Sequence, residues 1–79
     1  MNKILTLKHS EFVNNTENWY DNGEGGVYVE SKCPTNYPAH SKYTLSFTEA
    51  MRQFILMVSD EEGWLVDEDF GWRDFVMGD

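Results

Sequence analysis

Asp60, Glu61, Glu62, Asp67, Glu68, Asp69, Asp74 and Asp79 put eight carboxylates into the last twenty residues. Arg73 is the only base among them, a balance of −7 against −1 for residues 1–59. Clustered carboxylates can hold a hard cation, share a proton as a general acid–base pair, or present negative charge to a basic surface. Calcium needs a loop with glycine at position 6 and a bidentate glutamate at position 12. With Asp67 at position 1, the glycine (Gly71) falls at 5 and position 12 is Gly78. Acid–base work needs two acids held at divergent pKa values in a cleft, and a chain of 79 residues has little room for one. The third chemistry fits best. Trp64, Leu65, Val66, Phe70, Trp72, Phe75 and Val76 interleave with the acids, whereas disordered acidic tracts lack large apolar side chains. The segment therefore reads as folded surface carrying charge, which attracts basic protein grooves and repels nucleic acid and membranes. Its expected partner-binding residues are Asp60, Glu61, Glu62, Trp64, Asp67, Glu68, Asp69, Trp72 and Asp74.

No other grouping points to catalysis. Cys33, His40 and His9 are the soft metal ligands, without a C-x-x-C or H-x-x-x-H spacing to build a tetrahedral site. A Cys33–His40 nucleophile lacks a third, orienting group. Gly23-Glu24-Gly25-Gly26 comes before a strand pattern, the wrong order for a phosphate-cradling loop. No enzyme activity, metal or cofactor is expected. Six scattered bases against fourteen acids form no basic stripe, so direct nucleic-acid binding is not expected either.

These residues have to be positioned by a small fold. Ile4, Leu5 and Leu7 predict a first strand at about 3–8. Ser10 as N-cap, Glu11 in a first turn and Phe12, Val13, Thr16 and Trp19 at partial helical spacing predict a short helix at about 10–18. Asp21-Asn22-Gly23 and Gly25-Gly26 impose a turn. Val27, Val29, Ser31 and Cys33 alternate with Tyr28, Glu30 and Lys32, predicting a half-buried strand at about 27–33. Pro34 and Pro38 bracket a loop, and Tyr43, Leu45 and Phe47 predict a second strand at about 42–47 that completes a long hairpin. Ser46-Phe47-Thr48-Glu49 matches a capping box, with Leu45 and Ala50 as a hydrophobic staple. Phe47, Ala50, Met51, Phe54, Ile55 and Val58 then form the core stripe of a helix over about 46–59. Leu56 and Met57 fall outside that stripe, and Gly63 suits a left-handed cap. Trp64-Leu65-Val66 could add a short strand. Asp67 as a cap and Trp72, Phe75 and Val76 as an apolar face predict an acidic C-terminal helix at about 67–77. The whole is a single α+β domain, residues 1–79, with a small antiparallel sheet covered by the 46–59 helix.

One cysteine excludes an internal disulfide and points to a reducing compartment. The longest apolar run, residues 54–58, is far short of the roughly 20 residues of a membrane helix. The opening MNKILTLKH turns polar too soon for a secretory signal, so a cytoplasmic protein is expected. In size, acidity and localisation of charge the chain resembles, as a class, the small inhibitors that phages and mobile elements make against restriction and CRISPR systems, several of them DNA mimics. The segment ENWYDNGEGG is similar to the W-x-x-Y-N-x-G stretch of ArdA-type antirestriction proteins, which are several-fold repeats of such a unit. The resemblance implies a viral, non-catalytic inhibitor in the host cytoplasm that occupies a basic groove of a host nuclease or other nucleic-acid-binding complex. The alternatives are an immunity protein or antitoxin against a basic toxin, and an acidic assembly module that dimerises through Leu56, Met57 and exposed tryptophans.

Overall fold

A computed structural model of the chain describes residues 2–12, 14–32, 40–60 and 62–78. Five strands form one antiparallel sheet: β1 (Asn2–His9), β2 (Thr16–Asp21), β3 (Gly26–Lys32), β4 (His40–Ser46) and β5 (Trp64–Asp69). Their order across the sheet is β4-β3-β2-β1-β5. The first four make a meander. Helix α1 (Phe47–Phe54) and the π-helical turn Ile55–Ser59 then carry the chain over one face to the far edge, where β5 pairs with β1. A short α2 (Trp72–Met77) closes the same face. The α+β architecture of the sequence reading stands, with a larger sheet and a shorter last helix.

Side chains alternate across a strand, and β1, β2 and β3 supply the sheet's part of the core while β5 stays exposed apart from half-buried Trp64. Leu5, Leu7, Trp19, Val27 and Val29 are fully buried on the helix-covered face, where Ala50, Met57 and Trp72 from the helical layer join them in the core. The β3–β4 hairpin pairs without interruption from Gly26↔Ser46 to Lys32↔His40, as expected. Ser46 caps α1 as its sequence predicts, accepting the Glu49 amide at 3.2 Å.

Three expectations are corrected. The segment predicted as a helix at 10–18 is a bend followed by β2. Asn14, Asn15 and Asn18 are poor helix formers, and Trp19 and Tyr20 pack better on a pleated surface between β1 and β3. No helix begins at Ser10 among the described residues; the ring of His9 accepts the Glu11 and Phe12 amides. The helix predicted over 67–77 begins only at Trp72. Residues 67–69 complete β5 against the free edge of β1, and Gly71 at φ +141° breaks the path into a helix. The N-cap of α2 is therefore Gly71, not Asp67, and the carboxylate that serves the start of the helix is Asp69, two residues before it: its Oδ1 accepts the amides of Gly71 (2.9 Å) and Trp72 (2.8 Å). In the π-helical turn that follows α1, Met57 and not Ile55 reaches the core. Met57 stands seven residues after buried Ala50, two helical turns on, while Ile55 is 49% and Leu56 43% exposed. Cys33 and the 33–39 loop lie outside the described residues.

Candidate functional site

The acidic segment follows one edge of the sheet. Asp60 ends the π-helical turn, its amide donating to the Ile55 carbonyl at 3.0 Å. The connection to β5 is clasped by His9. Two amides donate to its Nδ1, from Glu11 (3.1 Å) and Phe12 (3.2 Å), so the proton sits on Nε2 and is donated to the Glu62 carbonyl at 3.0 Å. The Ser10 amide adds a bond of 2.7 Å to the Gly63 carbonyl, and Trp64 stands edge-on to the His9 ring at 5.1 Å. Residues 62–64 are thus tied to the end of β1.

Strand β5 then lies at the margin of the sheet, its outer side unpaired by any other strand among the described residues. Asp67, Glu68 and Asp69 on it are exposed, as are Asp60 and Glu62 before it and Asp74 after it. Asp74 also lines an open hollow of about 240 Å³ together with Lys3, Asp21 and Phe70. Trp64 is half-buried. Trp72, grouped with these residues in the sequence reading, belongs to the core instead: it is 9% exposed and packs on Trp19 (5.5 Å) and Phe54 (4.9 Å). Glu61 and Asp79 lie outside the described residues.

A second cluster escaped the sequence reading. Glu17, 7% exposed, sits on the core face at the end of β2. The Trp19 indole N–H donates to its Oε1 (2.9 Å) and the Ser31 hydroxyl to its Oε2 (3.3 Å). Burial raises the pKa of this carboxyl, and the two hydrogen bonds partly oppose the rise. Nearby, the Tyr43 phenol is pushed up to about 12, by burial first and then by the charge of Glu17. The signal was present in the sequence, since Glu17 and Trp19 stand two apart, on one face of a strand. The partial helical period of 10–18 obscured it.

The raised value has a direct consequence for stability. Between the unfolded value near 4.5 and the raised folded one, the native state holds a proton that the unfolded chain has lost. Stability from this group is therefore complete below 4.5 and falls as pH rises through the window. Glu17→Gln keeps the shape and cannot ionise. Urea melts of both proteins from pH 4 to pH 8 should show the parent losing stability relative to Glu17→Gln as pH increases. A difference constant across that range would mean that Glu17 ionises in the fold as easily as in the open chain.

No protein-family model matches this chain, and neither a curated protein nor a solved structure matches it.

Proposed function

We propose that this domain is a non-catalytic protein-binding inhibitor whose acidic edge occupies a basic groove on a nucleic-acid-handling protein, in the manner of anti-restriction or anti-CRISPR inhibitors. One observation supports this reading above the others. The carboxylates of Asp60, Glu62, Asp67 and Glu68 are exposed along the approach to the sheet edge and on the edge strand itself, and the strand is fixed to β1 by its ladder and by the His9 clasp. Charges on a rigid element meet a groove without first being ordered, which lowers the cost of association. The same acids also discourage edge-to-edge aggregation, so their contribution to binding has to be separated from that role.

Charge reversal separates the two. Asp60→Lys, Glu62→Lys and Asp67→Lys together leave the Asp69 hydrogen bonds, the Glu62 carbonyl and the core untouched. Like charges facing a groove cost several kcal/mol, so a nucleic-acid-binding partner retained by the immobilised parent from host lysate should bind the triple variant at least about 100-fold more weakly. The urea midpoint should stay close to that of the parent. Equal retention of the same partner, with the same salt dependence, would show that these acids only keep the protein soluble.

A further inference from the structure

The helices cover one face of the sheet, and no helix or strand of the described residues covers the other. Strand register decides what stands on that open face, because residues directly opposite one another point to the same side. Thr6, opposite Asn18, Glu30 and Lys42 in successive strands, forms one row. A second row runs Leu65, Lys8, Thr16, Lys32. A third runs Lys3, Tyr20, Tyr28, Thr44. Four of the six bases, scattered between positions 3 and 42 in the sequence, are gathered on this face or its rim. Glu30 and Glu68 are the acids that join them. The face carries about +2 by formal count, and the rest of the sequence −10.

At the centre of the third row Tyr20 and Tyr28 lie side by side, ring centroids 6.0 Å apart and tilted by 50°. Both are half-buried. Beside them the Thr6 hydroxyl donates to Asn18 Oδ1 at 3.1 Å, which orients the Asn18 amide. Lys8, Lys32 and Lys42 are exposed around this centre, and Lys3 at the rim holds its ammonium 5.5 Å from the centroid of the Phe70 ring.

We infer that the open face of the sheet is a binding platform for a short single-stranded nucleic acid, with Tyr20 and Tyr28 as stacking surfaces and Lys8, Lys32 and Lys42 as phosphate contacts. Neighbouring aromatic rings on a sheet face, flanked by cations, are what unstacked bases on a phosphate chain require. A duplex hides its base faces and would bring the acidic edge against a second phosphate strand. The expectation of no direct nucleic-acid contact is thereby revised for single strands and kept for duplexes. The stacking and phosphate-contact residues of the platform, Tyr20, Tyr28, Lys8, Lys32 and Lys42, are not those of the acidic edge, which meets this face only at Glu68 on β5.

The test is fluorescence anisotropy with labelled single-stranded RNA and DNA of about ten nucleotides, titrated with full-length protein from about 20 mM salt upward. The three phosphate contacts should give a slope of log K against log salt of about −2. Lys32→Gln with Lys42→Gln should make that slope shallower by about 1.4. Tyr28→Leu should weaken binding about 5- to 150-fold with the slope unchanged. The lysine variants remove exposed charges only, so their circular dichroism should match the parent and keep the result interpretable if Tyr28→Leu unfolds. Absence of binding at the lowest salt overturns the proposal. So does equal affinity for a duplex of the same sequence. Competition by polyglutamate as effective as by the oligonucleotide would assign the face to an acidic protein segment instead.

Discussion

Trp19→Ala should cost this domain between about a quarter and all of its stability. Trp19 is fully buried at the centre of the sheet, with its ring edge-on to Trp72 (5.5 Å) and to Phe54 (6.5 Å). It joins the sheet to both helices. Truncating a buried tryptophan to alanine costs about 3–5 kcal/mol. A domain of this length has about 4–12 kcal/mol in total, so the lower part of that range leaves little native protein. Near-ultraviolet circular dichroism should lose its aromatic signal, and the urea transition should shift to far lower concentration or vanish.

Trp19→Phe separates the packing from the polar role of the same side chain. Phenylalanine keeps much of the apolar volume but has no N–H for Glu17 Oε1, the shorter of the two hydrogen bonds that hold this carboxyl. An orphaned buried acceptor costs about 1–3 kcal/mol. Removing the acceptor as well, in Trp19→Phe with Glu17→Met, should recover part of that loss, because two apolar partners leave nothing unsatisfied. Additive losses in the double variant would show that the indole–carboxylate bond contributes nothing, and a Trp19→Ala melt overlaying the parent would mean that Trp19 is not the centre of the core.

What the sequence made legible was what is local. The Ser46 cap is written within four residues and the β3–β4 hairpin in two alternating runs, and both are found where expected. Two segments misled because tertiary partners outvoted local preference. Residues 16–21 show a partial helical period, yet they fill the gap between β1 and β3. Asp67, Glu68 and Asp69 have poor strand propensity, yet the free edge of β1 offers hydrogen bonds that a helix there would forgo. The acidic edge was visible as charge, but which aromatic residues accompany it was not. Trp64 stays beside the acids and Trp72 turns into the core, a distinction set by the Gly71 break and the bond from the Trp72 amide to Asp69. The lysine-bearing face was invisible for a stronger reason. Lys8 and Lys32 become near neighbours only through the registers of β1 with β2 and of β2 with β3, and no spacing within the chain records those registers.

Gly63→Ala should destabilise the domain by roughly 2–4 kcal/mol, more than a cap or a surface charge is worth. Two causes add. Gly63 has φ +93°, a region that a residue with a Cβ enters only at a cost of about 1–3 kcal/mol. A Cβ at this position would also lie 2.9 Å from both Cε1 and Nε2 of His9. The ring would have to move, and the moving atom is the one that donates to the Glu62 carbonyl, a bond worth about 0.5–1.5 kcal/mol. The displaced ring would also disturb the amides of Glu11 and Phe12 that donate to Nδ1. Loss should therefore spread along the clasp: in hydrogen exchange, the amides of residues 10–12 and of β5 should lose protection before those of β3 and β4. His9→Ala in the same background tells the two causes apart. It clears the clash and leaves the backbone strain, so Gly63→Ala should be less costly there than in the parent by about the energy of the clash. If Gly63→Ala melts with the parent and its exchange pattern is unchanged, the connection into β5 follows a different path from the one described. The acidic edge would then lose the fixed support on which its proposed role depends.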